Sequence, residues 1–290
     1  MDLWEGTTEP DRSELDEQLL EATRLTEEGE SAQALAMLLS LEIDHPDDAT
    51  LLCMIGALAA HLEAEGMAAD FFRRCLEQNP TEPNLLVTAG AGLAAVSDPA
   101  AEPALRLATL TAPDLAAARL HYGGYLVREG LVSQGLDELA IARRLDPDDS
   151  LVRRELGVGL LLAGRAAEAL EELEAAVLME GEDLDLRMLF GLTLVQEGDL
   201  PRAAEELYPL GTLYPDDGEV QAVLALVFWV ADWEDEAWLA LSRAESAPEQ
   251  PDRALLREVE EAIEAGGDVV RSLLLDEVAP SALRDRIYRS

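Results

Sequence analysis

A small residue returns every 34 residues along most of this chain, and that spacing restricts its fold more than any other feature. Gly123, Gly157, Gly191 and Ala225 stand one period apart, and Gly90, Gly56 and Ala22 continue the series backwards after a slip of one residue. A second column of small residues has the same period: Ala34, Ala68, Ala101, Gly135, Ala169, Ala203 and Ala237. A third column is proline, at Pro46, Pro80, Pro113, Pro147, Pro215 and, one residue early, Pro248, with Gly181 at the remaining place. The slip recurs in the third copy in all three columns. Columns that share both period and slip mean tandem copies of one supersecondary unit, each burying its apolar face against the next.

Each copy spells a helical hairpin. The clearest runs from Ser150 through Leu156-Gly157-Val158 to Gly164, then from Arg165 through Ala169, Leu173 and Ala176 to Met179. Gly157 and Ala169 are small where the two helices of the hairpin cross and approach closely. Gly164 supplies the left-handed residue that ends the first helix. Pro147 stops the preceding helix, because it lacks an N–H and disfavours α conformation before it. The composition agrees, with 49% hydrophobic residues and only 4% aromatic ones, a Leu/Ala chemistry suited to helices.

The order of residue types resembles the tetratricopeptide repeat: a large apolar residue before a small one in the first helix, then small, large and small positions in the second, closed by proline. Here these are Leu156-Gly157, Ala169, Leu173 and Ala176, and in the next copy Phe190-Gly191, Ala203, Leu207 and Pro215. The resemblance implies an all-α fold, a right-handed α-α superhelix of seven units at about 15–48, 49–82, 83–115, 116–149, 150–183, 184–217 and 218–250. The first copy departs from the pattern at Glu21, the third carries Pro99 and Pro103 around its turn, and Pro209 inside a second helix predicts a kink near 205–213. Residues 1–14 are expected to be weakly ordered. Residues 251–290 read as capping helices and a basic tail, because a solenoid needs its last apolar face covered.

Proteins of this family generally bind peptides on the concave face lined by the first helix of each unit. The resemblance places the second, fifth, ninth and twelfth residues of each unit there. Among these, Leu120, Val127, Arg154, Val158, Leu161, Met188, Leu192, Val195, Leu226 and Trp229 are the candidate ligand-binding residues. Members that clamp a C-terminal carboxylate do so with Lys, Arg and Asn at such places; this chain has no Lys, and Arg154 is the only basic residue in the set. The groove is instead expected to be apolar, small in its first half and larger from Leu151 onward. Such a surface suits an amphipathic helix or apolar segment, or is covered by the chain itself. Phe228, Trp229, Trp233 and Trp238 gather in the last unit, either as a binding hot spot or as packing for the caps. The tail, with Arg284, Arg286 and Arg289 against Asp285, is a candidate to dock in its own groove, in a neighbour's to give a homodimer, or simply to cap the array.

Charge and cysteine usage narrow the function classes. The 60 acidic residues against 21 basic ones give a formal charge of -39. That field disfavours nucleic acid and anionic membrane surfaces as partners, and it suits either basic proteins or a heavily solvated outer face. No apolar run is long enough for a membrane span, and Met1 to Arg12 carries no secretory signal, so the expected location is cytoplasmic. Cys53 and Cys75, on facing helices of one hairpin, read as reduced core thiols. The acidic proline turns at 44–48, 146–149 and 215–217 fall where helices begin and read as N-caps rather than Ca²⁺ loops, which need alternating ligands closed by a Glu. His45, His61 and His121 lie in separate units without metal spacing, and Gly90-Ala-Gly92 and Gly157-Val-Gly159 lie inside helices with no strand or Lys. No cofactor or metal is expected. The reading is a non-catalytic protein-interaction scaffold for an apolar or amphipathic segment, with a homo-oligomeric assembly protein or an acidic binder of basic proteins as alternatives.

Overall fold

The computed structural model describes residues 12–248 and 253–289, so most of the segment expected to be weakly ordered, 1–14, lies outside the described residues. The described residues are helical throughout, joined by short turns. They divide into two compact units, one of Met1–Glu129 with Asp137–Leu145, the other of Gly130–Leu136 with Asp146–Ser290.

In the first unit, α1 (Arg12–Glu27) packs on α2 (Ser31–Glu42), α3 (Ala49–His61) on α4 (Glu65–Glu77), and α5 (Pro83–Ala95) on α6 (Ala101–Thr111). Next, α7 (Ala116–Arg128) lies against α5 and α6, and α8 (Val132–Leu145) follows it. The second unit continues with α9 (Ser150–Leu162) on α10 (Ala166–Met179), α11 (Leu184–Gln196) on α12 (Leu200–Leu213), and α13 (Gly218–Val230) on α14 (Glu234–Ser246). After these come α15 (Arg253–Ala265), α16 (Asp268–Ser272), a π-helical stretch Leu273–Val278 and α17 (Ala279–Arg289). Consecutive hairpins of this kind make the fold an all-α solenoid type.

The helices begin where acidic residues can cap them. Asp48 accepts from the Leu51 N–H, Asp183 from Leu186 and Asp217 from Val220, while Asp149 accepts from both Leu151 and Val152. Each satisfies a backbone donor that the first helical turn leaves unpaired. Replacing Asp149 with Ala should lower the unfolding free energy by about 1 kcal/mol, read from the urea midpoint at unchanged slope.

The one-residue slip has a defined place. The turn residues with left-handed backbone include Glu63, Ser97, Gly164 and Asp232, at φ of 59°, 55°, 72° and 64°. From Gly164 to Ala169 there are five steps, from Ser97 to Ala101 only four, so the missing residue lies there. Helix α6 consequently starts at Ala101 itself, whereas α10 starts three residues ahead of Ala169. Asp98 secures the shortened turn: it accepts from the Ala100 N–H at 2.9 Å and from Arg73 Nε at 2.7 Å. These two bonds hold its carboxyl below the usual carboxylate range.

The small column in the first helices makes room for a large side chain of the second, more than for its backbone. A Cβ at Gly157 would lie 2.7 Å from Leu173 Cδ2, with the Ala169 carbonyl farther off at 3.6 Å. A further column, not singled out above, ties the two helices by charge. Arg119, Arg153 and Arg187 each donate through Nε to a carbonyl of the preceding turn, at Pro113, Pro147 and Gly181. Their Nη1 atoms reach Glu138, Glu172 and Glu206, at 2.6, 3.0 and 3.5 Å.

Helix α12 runs unbroken through Pro209. Its end is held by carbonyl contacts: Gln221 Nε2 donates to Gly211 and Tyr214, and Arg243 Nη1 to Gly211 at 2.6 Å. Cys53 and Cys75 are free and buried, and they meet across the α3–α4 hairpin. The hydrogen bond to Cys75, together with burial, pushes the Cys53 thiol up and keeps it protonated.

Candidate functional site

In the second unit, the face lined by the first helices is occupied by the chain's own C-terminal segment. Helix α17 lies along α11, while α15, α16 and the π-helical stretch lie against α13. One core joins Val158, Met188, Leu192, Val195 and Leu226 to Ile263, Val270, Leu274, Leu283 and Ile287. Leu192, Val195 and Leu226 have no exposed surface, and Met188 keeps 1%. Leu161 and Trp229 pack at the margin of the same core, half-buried.

The amphipathic pattern of α17 explains its seat. Ala279, Ala282, Leu283 and Ile287 share one face at helical spacing, and all are buried. Arg286 is buried with them. Its Nε sits 3.6 Å from Asp185 Oδ1, on the first turn of α11, and makes no hydrogen bond. On α9, Arg154 is similar: its Nη1 stands 3.7 Å from Asp183 Oδ2, and its Nε is buried without a partner. The one basic residue among the candidates is therefore turned to an acid at the adjoining helix start. In the first unit, Leu120 and Val127 on α7 are buried.

The four aromatic residues of the last hairpin separate into two groups. Trp229 meets Trp238 edge to face at 5.9 Å and approaches Gly266, at the α15–α16 turn. Phe228 stacks on Trp233 at 5.7 Å, and Tyr208 of α12 closes on both. Tyr208 and Trp233 line an open cleft of about 680 Å³ with Glu205, Asp232, Glu234, Asp235 and Glu236. Tyr208 lies on a second helix, α12, outside the groove register. The first unit has an apolar cleft of about 430 Å³ beside the shortened turn, lined by Leu76, Pro80, Leu86, Pro103, Ala104 and Leu107.

Among the described residues no helix is long and apolar enough to cross a membrane, and no three His, Cys, Asp or Glu side chains converge as metal ligands.

Residues 160–227 match the family model of the tetratricopeptide repeat. No curated protein matches the chain in sequence. Among solved structures, PilW, described as a widely conserved type IV pilus biogenesis factor, superposes with a TM-score of 0.64 at 19% identity, over 72% of this chain and 97% of that one. PilF of Pseudomonas aeruginosa gives 0.61 at 17%, over 73% and 96%. A tetratricopeptide repeat protein from Parabacteroides merdae gives 0.59 at 12%, over 85% and 97%. At these identities the likeness concerns the fold. Residues 160–227 thus carry a tetratricopeptide repeat by sequence, and the fold of the described residues is that of tetratricopeptide-repeat solenoids.

Proposed function

We propose that the chain is a non-catalytic scaffold that receives an amphipathic helix of a partner protein on the α11–α13 face, in the place where α17 sits. The observation that supports this is α17 itself. A short helix with one apolar face and a buried arginine already fits this surface, and Asp185 meets the arginine at its edge. A partner helix with the same pattern has the same complement: apolar residues toward Met188, Leu192 and Val195, and a basic residue toward Asp185. Leu161 and Trp229, at the margin, are positioned to extend the contact.

The test compares the chain ended at Val278 with the full chain, using a fluorescently labelled peptide of residues 279–290. Saturable binding to the shortened chain, with at least about tenfold weaker binding to the full chain, is the expected anisotropy result. Circular dichroism confirms that the shortened chain is still helical. A folded, shortened chain that leaves the peptide unbound overturns the reading. A shortened chain that doubles its mass in light scattering instead assigns the face to a homodimer.

A further inference from the structure

The chain has two cysteines, and both stand at one helix crossing in the first unit. Helices α3 and α4 run antiparallel across a short turn, and Gly56 faces the Phe72 ring, where a Cβ would lie 2.6 Å from Cδ1. Cys53 lies three residues before Gly56 and Cys75 three after Phe72, so each is about one turn from the crossing, on the side facing the other helix. Both are buried in one cluster with Ala68, Phe72 and Leu93, Cys53 at 3% exposure and Cys75 at 0%. The corresponding places in later units hold Met188 and Ala222 for Cys53, and Ala142, Ala176 and Ala244 for Cys75. Packing alone therefore asks for no thiol at either place. The two thiols are also unlike. The Cys53 S–H donates to Cys75 and holds the Cys75 thiol below its usual range, although burial and the Asp48 carboxylate push the other way.

We propose that Cys53 and Cys75 are a redox pair that a hydroperoxide closes to an intramolecular disulfide, clamping the α3–α4 hairpin. The Cys75 thiolate attacks one peroxide oxygen, the O–O bond breaks, and Cys75 becomes a sulfenic acid as hydroxide leaves. The Cys53 sulfur then attacks the Cys75 sulfur. The S–S bond forms, the S–O bond breaks, and the Cys53 proton departs with the hydroxyl group as water. The first hydroxide takes up the proton that Cys75 lost, so two thiols are oxidised and one hydrogen peroxide is reduced to two waters. A peroxide is the oxidant that suits this pair. It is small and neutral, so a brief local opening of the hairpin admits it, whereas the charge of -39 repels anionic oxidants such as glutathione disulfide. The bridge restricts the opened hairpin and so raises the protection of both helices.

The test uses the full chain and hydrogen peroxide, read by mass spectrometry at the tryptic peptide 75–106, which contains no methionine to take up oxygen. After peroxide and maleimide trapping in urea, this peptide should be joined to the one that carries Cys53, free of maleimide, and dithiothreitol should separate them. Cys53→Ala, which matches Ala222, should instead leave Cys75 as a sulfenic acid that dimedone captures. Cys75→Ala, which matches Ala142 and Ala176, should slow oxidation of Cys53 at least about tenfold, because the protonated Cys53 thiol is the poorer nucleophile. In the bridged chain, amide exchange in α3 and α4 should slow at least about tenfold relative to the reduced chain. Circular dichroism confirms that both variants stay helical. Cys75 still open to maleimide after a peroxide exposure that oxidises the urea-unfolded chain overturns the pair. A bridge between two chains, or unchanged exchange in the bridged hairpin, overturns it as well. None of these outcomes bears on whether the α11–α13 face receives a helix.

Discussion

Gly191→Val should destabilise the second unit by roughly 1–3 kcal/mol, at the upper end of that range. The Cβ alone would lie 2.4 Å from both Cγ and Cδ2 of Leu207, and 2.9 Å from Cδ1. Leu207 has no exposed surface and sits in the core that joins α9 to α17, so its rotamer cannot swing into free space. The added γ-methyls deepen the clash and cost further side-chain freedom in the helix. Chemical denaturation followed by far-ultraviolet circular dichroism measures the loss. Gly66→Ala is the informative contrast. Gly66 is also helical, yet nothing lies within 4 Å of its absent Cβ, so this change should stabilise by up to about 1 kcal/mol. Two changes of the same general kind should thus have opposite signs. Equal effects would mean that the close packing at Gly191 is not what sets its size.

Leu283→Asp is the second large effect, and it should release α17 without unfolding the hairpins beneath. Leu283 is 4% exposed in the core shared with Met188 and Leu192. The substitution forfeits about 1.5–3 kcal/mol of apolar burial and adds the desolvation of a carboxylate. Amide exchange in 279–289 should accelerate by at least about a hundredfold, while α12 and α14 keep their protection. Binding of a hydrophobic dye should rise as the α11 face becomes exposed. Global loss of protection at the same denaturant concentration would show instead that α17 is inseparable from the fold.

The hairpins are legible in the sequence because period and chemistry point the same way at each copy. Gly157, Gly164, Ala169 and Pro147 each do a local job that only a few residue types can do. The arginine column is written just as openly: Arg119, Arg153 and Arg187 stand 34 apart, with Glu138, Glu172 and Glu206 beside them. Pro209 is the reverse case, a residue whose local rule predicts disturbance. The helix end is held by Gln221 and Arg243, 10 and 32 residues beyond Gly211, and the local rule carries no sign of them.

The site was less legible for the same reason. The groove register, as the resemblance implies it, names candidate residues on the first helices, but not what lies over them. Residues 279–289 read as a basic tail because Arg284, Arg286 and Arg289 dominate their charge. The apolar stripe of Ala279, Ala282, Leu283 and Ile287 spans only three turns, and its meaning depends on a partner surface about ninety residues earlier. The Tyr208–Trp233 cleft is hidden by the same kind of distance. Its wall is assembled from α12, the turn before α14 and the first turn of α14, and no single period collects them.

The continuity of α16, the π-helical stretch and α17 also sets a threshold for any visitor to the α11 face. A tethered helix competes at an effective concentration on the order of millimolar, whatever the amount of protein in solution. A partner that only matches the resident in intrinsic affinity would be outcompeted at the micromolar levels typical of cellular proteins. If the proposed partner helix binds there, occupancy would go to partners with a second foothold elsewhere on the chain, or to those abundant enough to overcome the tether. Under the proposed function, the tail's attachment would thus act as a selectivity filter, set by chain connectivity rather than by any side chain in the groove.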